Sequence, residues 1–511
     1  MKHTDQISRR DFIKLIGSAS VSLLAASNHI TRGMSIPTQS ISKKPNILIL
    51  VFDTLSAPHM SLHGYQRETT PNMNRFAERA FVYHKHYAAG NFTSPGTASL
   101  LTGVYPWQHG AVNINGIVTQ EYSNQNIFSL LKSSYYTAAY THNALAGIFL
   151  NQFAGHIQQF HPMRELSLAG EVYSERVMSE QFPDAFWSET MLRGKDQFLP
   201  GSLLISSLEK GFRDFQVASI EAKLQAKYPK GVPYNFKGMH FLLEDAMDWI
   251  KEQVSAYPQP FLAYYHLWPP HHPYFPSAEF IDIFKDGKRW PGKPENAFSL
   301  GEPENNIQRS RQQYDEYLAY TDYEFGRLLD MLDGDGSLDN TMVVVTSDHG
   351  ELFERGLTGH LNSTLYQDLI RVPLLISLPG QSERHDVFST TSCVDLLPSI
   401  LQFSGLEVPG FVQGEVLPGF GPANTDNDRS ILAMDAKFSS KRDPTQVYTL
   451  AMMEGRYKLV RYQGYAAEMD DELYDLENDP EEMENLASVN KKLVDEMGAE
   501  LKRKLEKELG G

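Results

Sequence analysis

Apolar residues fall in short unbroken runs along this chain, separated by stretches of helical spacing. Ile47-Leu48-Ile49-Leu50-Val51-Phe52 reaches Asp53 without a polar interruption. A run apolar on both pleat faces predicts a strand at the centre of a parallel sheet, covered by helices on each side. Runs of the same kind recur at 261–267, 342–346 and 374–378. Between them Leu318, Phe325, Leu328, Leu329 and Leu332 repeat at spacings of three, four and seven, which predicts a helix burying one face. Strands alternating with helices predict the α/β class. No internal repeat is visible.

Two segments depart from the alternation. Residues 155–240 are aromatic and irregular, as at Phe186-Trp187, and residues 285–313 are polar with Pro and Gly. Both read as insertions above the sheet, where substrate selectivity usually sits. They interrupt a catalytic domain at 45–405, and a C-terminal subdomain with shorter elements follows at 406–511. Between Glu468 and Glu484 ten of seventeen residues are acidic, which reads as a solvated, turn-rich surface in preference to a calcium site. Leu493, Met497, Leu501, Leu505 and Leu509 stand four apart and predict a terminal amphipathic helix docked on the body.

The first residues read as an address. Ser8-Arg9-Arg10-Asp11-Phe12-Ile13-Lys14 is a twin-arginine pattern, followed by an apolar run at 15–26 rich in Ala and Ser. That run is shorter than the ~20 residues a membrane-spanning helix needs. It predicts a cleaved signal over 1–27, then a polar linker at 28–44 containing Pro37. The expected partner is the twin-arginine export machinery. The expected location is periplasmic or extracellular, with no stable membrane anchor after processing.

Composition narrows the function further. Lys+Arg is 46 against 63 Asp+Glu, a net charge of −17. This argues against a nucleic-acid binder held by phosphate contacts and against a basic membrane-surface protein. An apolar content of 41% permits a large core. The single cysteine, Cys393, excludes an intrachain disulfide framework and any Cys-based zinc cluster. Seventeen histidines leave His/Asp metal chemistry open.

Ligands of open parallel sheets bind beyond the carboxyl ends of the strands. Asp53 closes the first strand, and Asp348-His349 closes the run Thr341-Met342-Val343-Val344-Val345-Thr346-Ser347. A carboxylate leaving a fully apolar strand must be paired or metal-bound. Either aspartate alone has a plainer reading as a helix cap. Together, with His349 adjacent and Gly350 allowing a sharp turn, they read as metal ligands. In Thr93-Ser94-Pro95-Gly96-Thr97-Ala98-Ser99, Pro95 suits the first turn of a helix, which sets Thr93 at a helix mouth favourable to an anion. Beside a divalent cation that hydroxyl becomes a nucleophile; from this segment alone the plainer reading, a helix cap, is preferred.

The ordered set of motifs resembles the sulfatase family of the alkaline phosphatase superfamily. The resemblance is carried by Pro45-Asn46-Ile47 to Asp53, Thr70-Pro71-Asn72, Ser99-Leu100-Leu101-Thr102-Gly103, Pro270-His271-His272-Pro273, Ser347-Asp348-His349-Gly350, His360 with Tyr366, and Leu473-Tyr474-Asp475. It implies a mixed, mostly parallel central sheet between helices, with a small C-terminal α+β subdomain holding a short antiparallel sheet. By the same resemblance, Asp53, Asp348 and His349 match metal-ligand positions and Thr93 matches the nucleophile, itself facing the metal. His271 matches a histidine that contacts the substrate oxyanion. His360 matches one that binds the oxyanion or protonates the leaving group. A packing role beside Trp268 and Tyr274 is the plainer reading of His271.

Departures from the family pattern point in one direction. Sulfatases carry Cys or Ser where Thr93 stands and oxidise it to formylglycine, an aldehyde that threonine, with its β-methyl, cannot yield. Thr97 stands at the motif arginine, Asn362 at a frequent lysine, and Thr54 at a frequent second metal-binding aspartate. His349 replaces an oxygen ligand, which favours Mn or Zn, with Ca still admissible. The resulting expectation is a single divalent cation and a metal-activated Thr93 cleaving a phosphate ester, by hydrolysis or by transfer. A true sulfatase using an unconverted hydroxyl, or a binding protein without turnover, are the alternatives. The substrate class is a small-molecule, glycan or lipid-headgroup ester.

Overall fold

The computed structural model describes residues 44–114, 116–169, 203–421, 429–439, 446–466 and 469–509. The twin-arginine segment, the linker up to 43 and Phe186-Trp187 lie outside the described residues. The strands are β1 (Asn46–Phe52), β2 (Phe81–Tyr87), β3 (Tyr136–Thr141), β4 (Gln159–Phe160), β5 (Phe261–Leu267), β6 (Thr341–Thr346), the short pair β7 (Phe353–Glu354) and β8 (Leu357–Thr358), β9 (Leu374–Ser377), β10 (His385–Ser392), and β11 to β14 (Ile431–Asp435, Tyr448–Glu454, Tyr457–Gln463, Glu472–Asp475).

Eight strands form one sheet in the order β10-β2-β9-β6-β1-β5-β3-β4. All pairings are parallel except those of β9, which is antiparallel to both β2 and β6. The 374–378 run is therefore the one reversed strand. It is apolar because both its faces are covered, which strand direction does not change. The pleat sorts β1 between two cores: Ile47, Ile49 and Val51 join one, Leu48, Leu50 and Phe52 the other. Burying each such side chain is worth roughly 1.5–3 kcal/mol, so these runs fix the sheet's centre.

The first core lies under α2 (Thr93–Thr102), α3 (Ala144–Gln152) and α7 (Leu396–Phe403). The second lies under α1 (Pro71–Ala77), α5 (Leu243–Ala256) and α6 (Glu304–Gly334); the remaining long helix before them is α4 (Leu203–Leu224). Because α6 starts at Glu304, residues 304–313 of the polar segment are its first turns. No helix among the described residues is long and apolar enough to cross a membrane.

Strands β11 to β14 form a separate antiparallel sheet. Leu432, Met434, Met452 and Leu459 point from it into the first core, which also receives Met497 and Leu501 of α8 (Lys491–Leu509). The terminal helix thus docks as its spacing predicts. The acidic stretch is less solvated than expected. Glu472 accepts hydroxyls from Tyr366, Tyr462 and Tyr474, and Glu482 pairs with Lys458 at 2.6 Å while accepting the Gln367 N–H at 2.8 Å. Buried carboxylates are tolerated where every oxygen finds a donor.

Candidate active site

Sheet register assembles the site. Val51 stands opposite Thr346, Phe52 opposite Leu267, and Thr141 opposite His266. Asp53, Asp348-His349, His266 and Asn143 therefore emerge at the same sheet edge, from β1, β6, β5 and the end of β3. The turn after β1 passes through Thr54 at φ 62°, a left-handed conformation that costs a β-branched residue about 1–3 kcal/mol. The Tyr314 hydroxyl holds it by donating to Thr54 O at 2.7 Å. Ser347 Oγ ties this turn to its neighbour: it accepts the Leu55 N–H at 2.9 Å and lies within 2.7 Å of Phe52 O and 2.6 Å of His349 O.

Helix α2 is capped by the backbone of Phe92, with no side-chain cap, so Thr93 is its first residue and its hydroxyl is free of the capping role. Gly96 lets that helix approach: a Cβ there would stand 2.1 Å from Asp348 O. Gly350 serves the same purpose against Asp368 O, at 2.0 Å. It is not among the left-handed glycines, so close approach, not the expected sharp turn, requires it.

One ligand atom from each of Asp53, Asp348 and His349 lies within 4.8 Å of the others. His349 Nε2 stands 3.5 Å from Asp53 Oδ1, 3.7 Å from Asp348 Oδ2 and 3.5 Å from Thr93 Oγ1. Its Nδ1 lies 3.0 Å from Gly350 O, which only accepts, so Nδ1 carries the hydrogen and the Nε2 lone pair faces the cluster. Burial pulls this imidazole down to about 4, so it is neutral at pH 7. Asn143 donates from Nδ2 to Asp53 Oδ2 at 2.5 Å and to Thr93 Oγ1 at 3.0 Å, while its Oδ1 caps α3 through the Leu145 N–H.

The electrostatics are those of a cation site. Burial raises Asp53, but the charges of His271 and His266 outweigh it and hold the group well below the carboxylate range. Burial and the nearby Asp53 push Asp348 up. Asp53 Oδ1, Asp348 Oδ2 and His266 Nε2 are buried with no hydrogen-bond partner. His266 Nε2 faces both carboxylates, at 3.4 Å and 3.6 Å. Orphaned carboxylate oxygens such as Asp53 Oδ1 and Asp348 Oδ2 fit a divalent cation, and two carboxylates with the His349 imidazole nitrogen suit Mn or Zn.

The other two expected residues join the same group. His360 lies 4.5 Å from His349 and 4.8 Å from His271, ring centre to ring centre. Its Nδ1 is 3.1 Å from the Glu351 carboxylate. Burial, His271 and Lys437 depress His360, and burial raises Glu351 to about 7. His271 packs 3.8 Å from Trp268, so the plainer packing reading holds as well, though Tyr274 touches His272 instead. Asn362 turns into its own loop, donating to Gly359 O and accepting from Thr364 N–H. The reading from sequence missed His266, Asn143 and Glu351. The strand-end rule applied to β5 and β3 would have found the first two.

Comparison with known proteins agrees with this geometry. The sulfatase family profile matches residues 45–406, and that of the N-sulphoglucosamine sulphohydrolase C-terminal region matches 360–509. The chain belongs to the sulfatase family. Among its relatives, this sulfatase-family protein is 25% identical to a choline-sulfatase of Rhizobium meliloti (strain 1021), over 89% of this chain and 84% of that protein. It is 22% identical to an arylsulfatase of Clostridium perfringens (strain 13 / Type A), over 92% and 95%. Of solved structures, the phosphonate monoester hydrolase of Agrobacterium radiobacter superposes with a TM-score of 0.64 at 17% identity, covering 91% of this chain and 96% of that one. A protein in complex with its substrate D-glucosamine-2-N,6-O-disulfate superposes at 0.62 and 19% identity, covering 91% and 98%. The family's fold and its ester hydrolase activity are thus those of this sulfatase-family protein, and family members use a divalent metal.

Proposed function

We propose that the protein is exported and cleaves a phosphate ester, by hydrolysis or by transfer, with Thr93 as the nucleophile. The observation that carries this is the Thr93 oxygen, held by the Asn143 amide at 3.0 Å and abutting His349 beside two partnerless carboxylate oxygens. A threonine cannot become the aldehyde on which formylglycine chemistry depends, so its own oxygen must attack. Asp53, Asp348 and His349 would hold a divalent cation, whose positive charge would ease deprotonation of the hydroxyl and offset the ester's anionic charge.

The chain's own residues account for the rest. Asn143 orients Thr93 Oγ1 and stabilises its alkoxide through an N–H. The Thr93 hydroxyl loses its proton to solvent, and its oxygen forms a bond to phosphorus as the ester's P–O bond breaks. His360 gives the departing alkoxide its Nε2 proton as its Nδ1 takes one from the Glu351 carboxyl at 3.1 Å, and His271 stands beside it against the anion. Water, or an acceptor alcohol, then attacks phosphorus and returns its proton to the His360–Glu351 pair, while the phosphothreonine bond breaks and the Thr93 oxygen takes a proton from solvent. Donors of this kind supply several kcal/mol of transition-state stabilisation.

The test is turnover of aryl phosphate monoesters, diesters and aryl sulfates by wild type and Thr93→Ala, with intact-mass detection of a covalent adduct on Thr93. Equal turnover by both proteins on every ester removes Thr93 from the mechanism. The sulfate-ester reading has support of its own in the choline-sulfatase and arylsulfatase relatives. The ratio of sulfate to phosphate rates decides between them. Export rests on Ser8-Arg9-Arg10. Changing Arg9 and Arg10 to Lys is expected to retain the protein in the cytoplasm of a host with a twin-arginine pathway, as fractionation would read.

A further inference from the structure

The C-terminal sheet lies directly against the loop that leads into Thr93. Met434, in β11, donates its N–H to Ala89 O at 2.9 Å. Gly90 is wedged there: a Cβ would meet Pro95 Cγ at 2.5 Å and Met434 O at 2.9 Å. Two residues beyond β11 stands Lys437, whose side chain is wholly buried. Its Nζ donates to His360 O at 2.6 Å and to Asn362 O at 2.7 Å, and pairs with Asp435 at 3.3 Å. The same ammonium lies 5.0 Å over the ring of Phe92, the residue before Thr93.

A buried ammonium is costly unless charge and acceptors surround it. Here it bridges two backbone carbonyls of the loop that carries His360. Asn91 Nδ2 also holds that loop, donating to Asn362 O at 3.0 Å and to Thr364 O at 2.6 Å, as does Thr449 Oγ1 on Ser363 O at 2.7 Å, but of these donors Lys437 is the one that reaches His360 O itself. The amine also meets the carbonyl of residue 362, where the sequence lacks the frequent lysine, but it faces backbone and not the anion.

We infer that Lys437 is a positioning residue: through it the C-terminal subdomain holds the His360 loop in register with Thr93, and the catalytic centre is incomplete without that subdomain. This rests on the reading of His360 as part of the reacting centre. Losing such a tether displaces a proton donor by a fraction of an ångström or more, which costs about 10- to 100-fold in rate.

The test is a double-mutant cycle in the full-length protein, on the ester the wild type turns over best. Lys437→Met is expected to lower kcat within that range with KM changed less than about twofold. Lys437→Arg, which keeps charge and donors, is expected to recover most of it. In a His360→Ala background, Lys437→Met is expected to cost almost nothing further. Equal fold-losses in both backgrounds, or unchanged kcat, overturn the inference. Hydrogen exchange supplies a readout independent of turnover: Lys437→Met should speed exchange across 359–364 while β1 and β6 stay protected. Unchanged exchange there overturns the tether even if no ester is turned over, and Lys437→Gln serves if the Met variant does not fold. Failure of the nucleophile assignment shows separately, in Thr93→Ala.

Discussion

Two buried carboxylate groups in this protein behave in opposite ways. Asp315 on α6 is fully buried, and every oxygen is satisfied. Its Oδ1 takes His59 Nδ1 at 3.0 Å, and its Oδ2 takes the Tyr65 hydroxyl at 2.7 Å and Arg67 at 2.8 Å. Burial lowers His59, but Asp315 and Asp368 more than restore it, so the network holds its own counter-charge. Asp53 and Asp348 are as deeply buried, yet each keeps an oxygen without a partner, and the two repel each other. In the second arrangement the unpartnered oxygens converge on one point, which suits completion by a cation. Satisfied burial marks structure, and unsatisfied burial marks function.

The comparison can be broken in graded ways. The largest effect is expected from Thr93→Ala, a loss of about 10³-fold or more in turnover, with unfolding by urea shifted little. If stability falls as much as activity, the contrast between the two regions fails. Asp315→Asn should do the reverse: about 3–5 kcal/mol of stability lost, because Arg67 and His59 keep buried charge without a counter-ion, while the folded fraction retains turnover per molecule. Denaturant titration with active-site normalisation reads both. Gly96→Ala is intermediate. A Cβ 2.1 Å from Asp348 O must push α2 away from the cluster, with turnover falling about 10²-fold.

Asp348→Asn sharpens the contrast from the other side. Without added cation it relieves a buried like charge, so the chelated variant should unfold about 1 kcal/mol later than chelated wild type. Added Mn or Zn should stabilise the wild type in proportion to its concentration and leave the variant nearly unmoved, a thermal-shift measurement. The remaining test is acid, whose effect is slight just below pH 6.5 and grows as pH falls. Burial pulls His86, His109 and His142 down to about 3, below the unfolded histidine value of 6.5. Below 6.5 the unfolded chain binds protons that the fold refuses, so stability present above that pH is lost as pH falls toward 3. Each contributes a slope of up to about 1.4 kcal/mol per pH unit, readable from urea midpoints at stepped pH.

Much of the fold was legible because burial on two faces leaves a strong local mark. The β1, β5 and β6 runs announced a covered sheet, and their ends announced Asp53 and Asp348-His349. The reversed direction of β9 left no such mark, since an apolar strand is apolar whichever way it runs. The burial of Glu472 and Glu482 leaves no local mark for a related reason: their partners Tyr366, Lys458 and Gln367 are distant in the chain.

By itself, then, the sequence determined the class of the sheet, the edge where chemistry gathers, and a threonine oxygen in place of an aldehyde. All of these follow from hydrophobic period and from the residue type at strand ends. Only the tertiary structure decided that Asn143 and His266 complete the cluster, that Gly96 and Gly350 serve close approach, and that Lys437 reaches across from the second sheet. Those depend on strand register and on which loops touch, and no local pattern of side chains encodes the distance between atoms hundreds of residues apart.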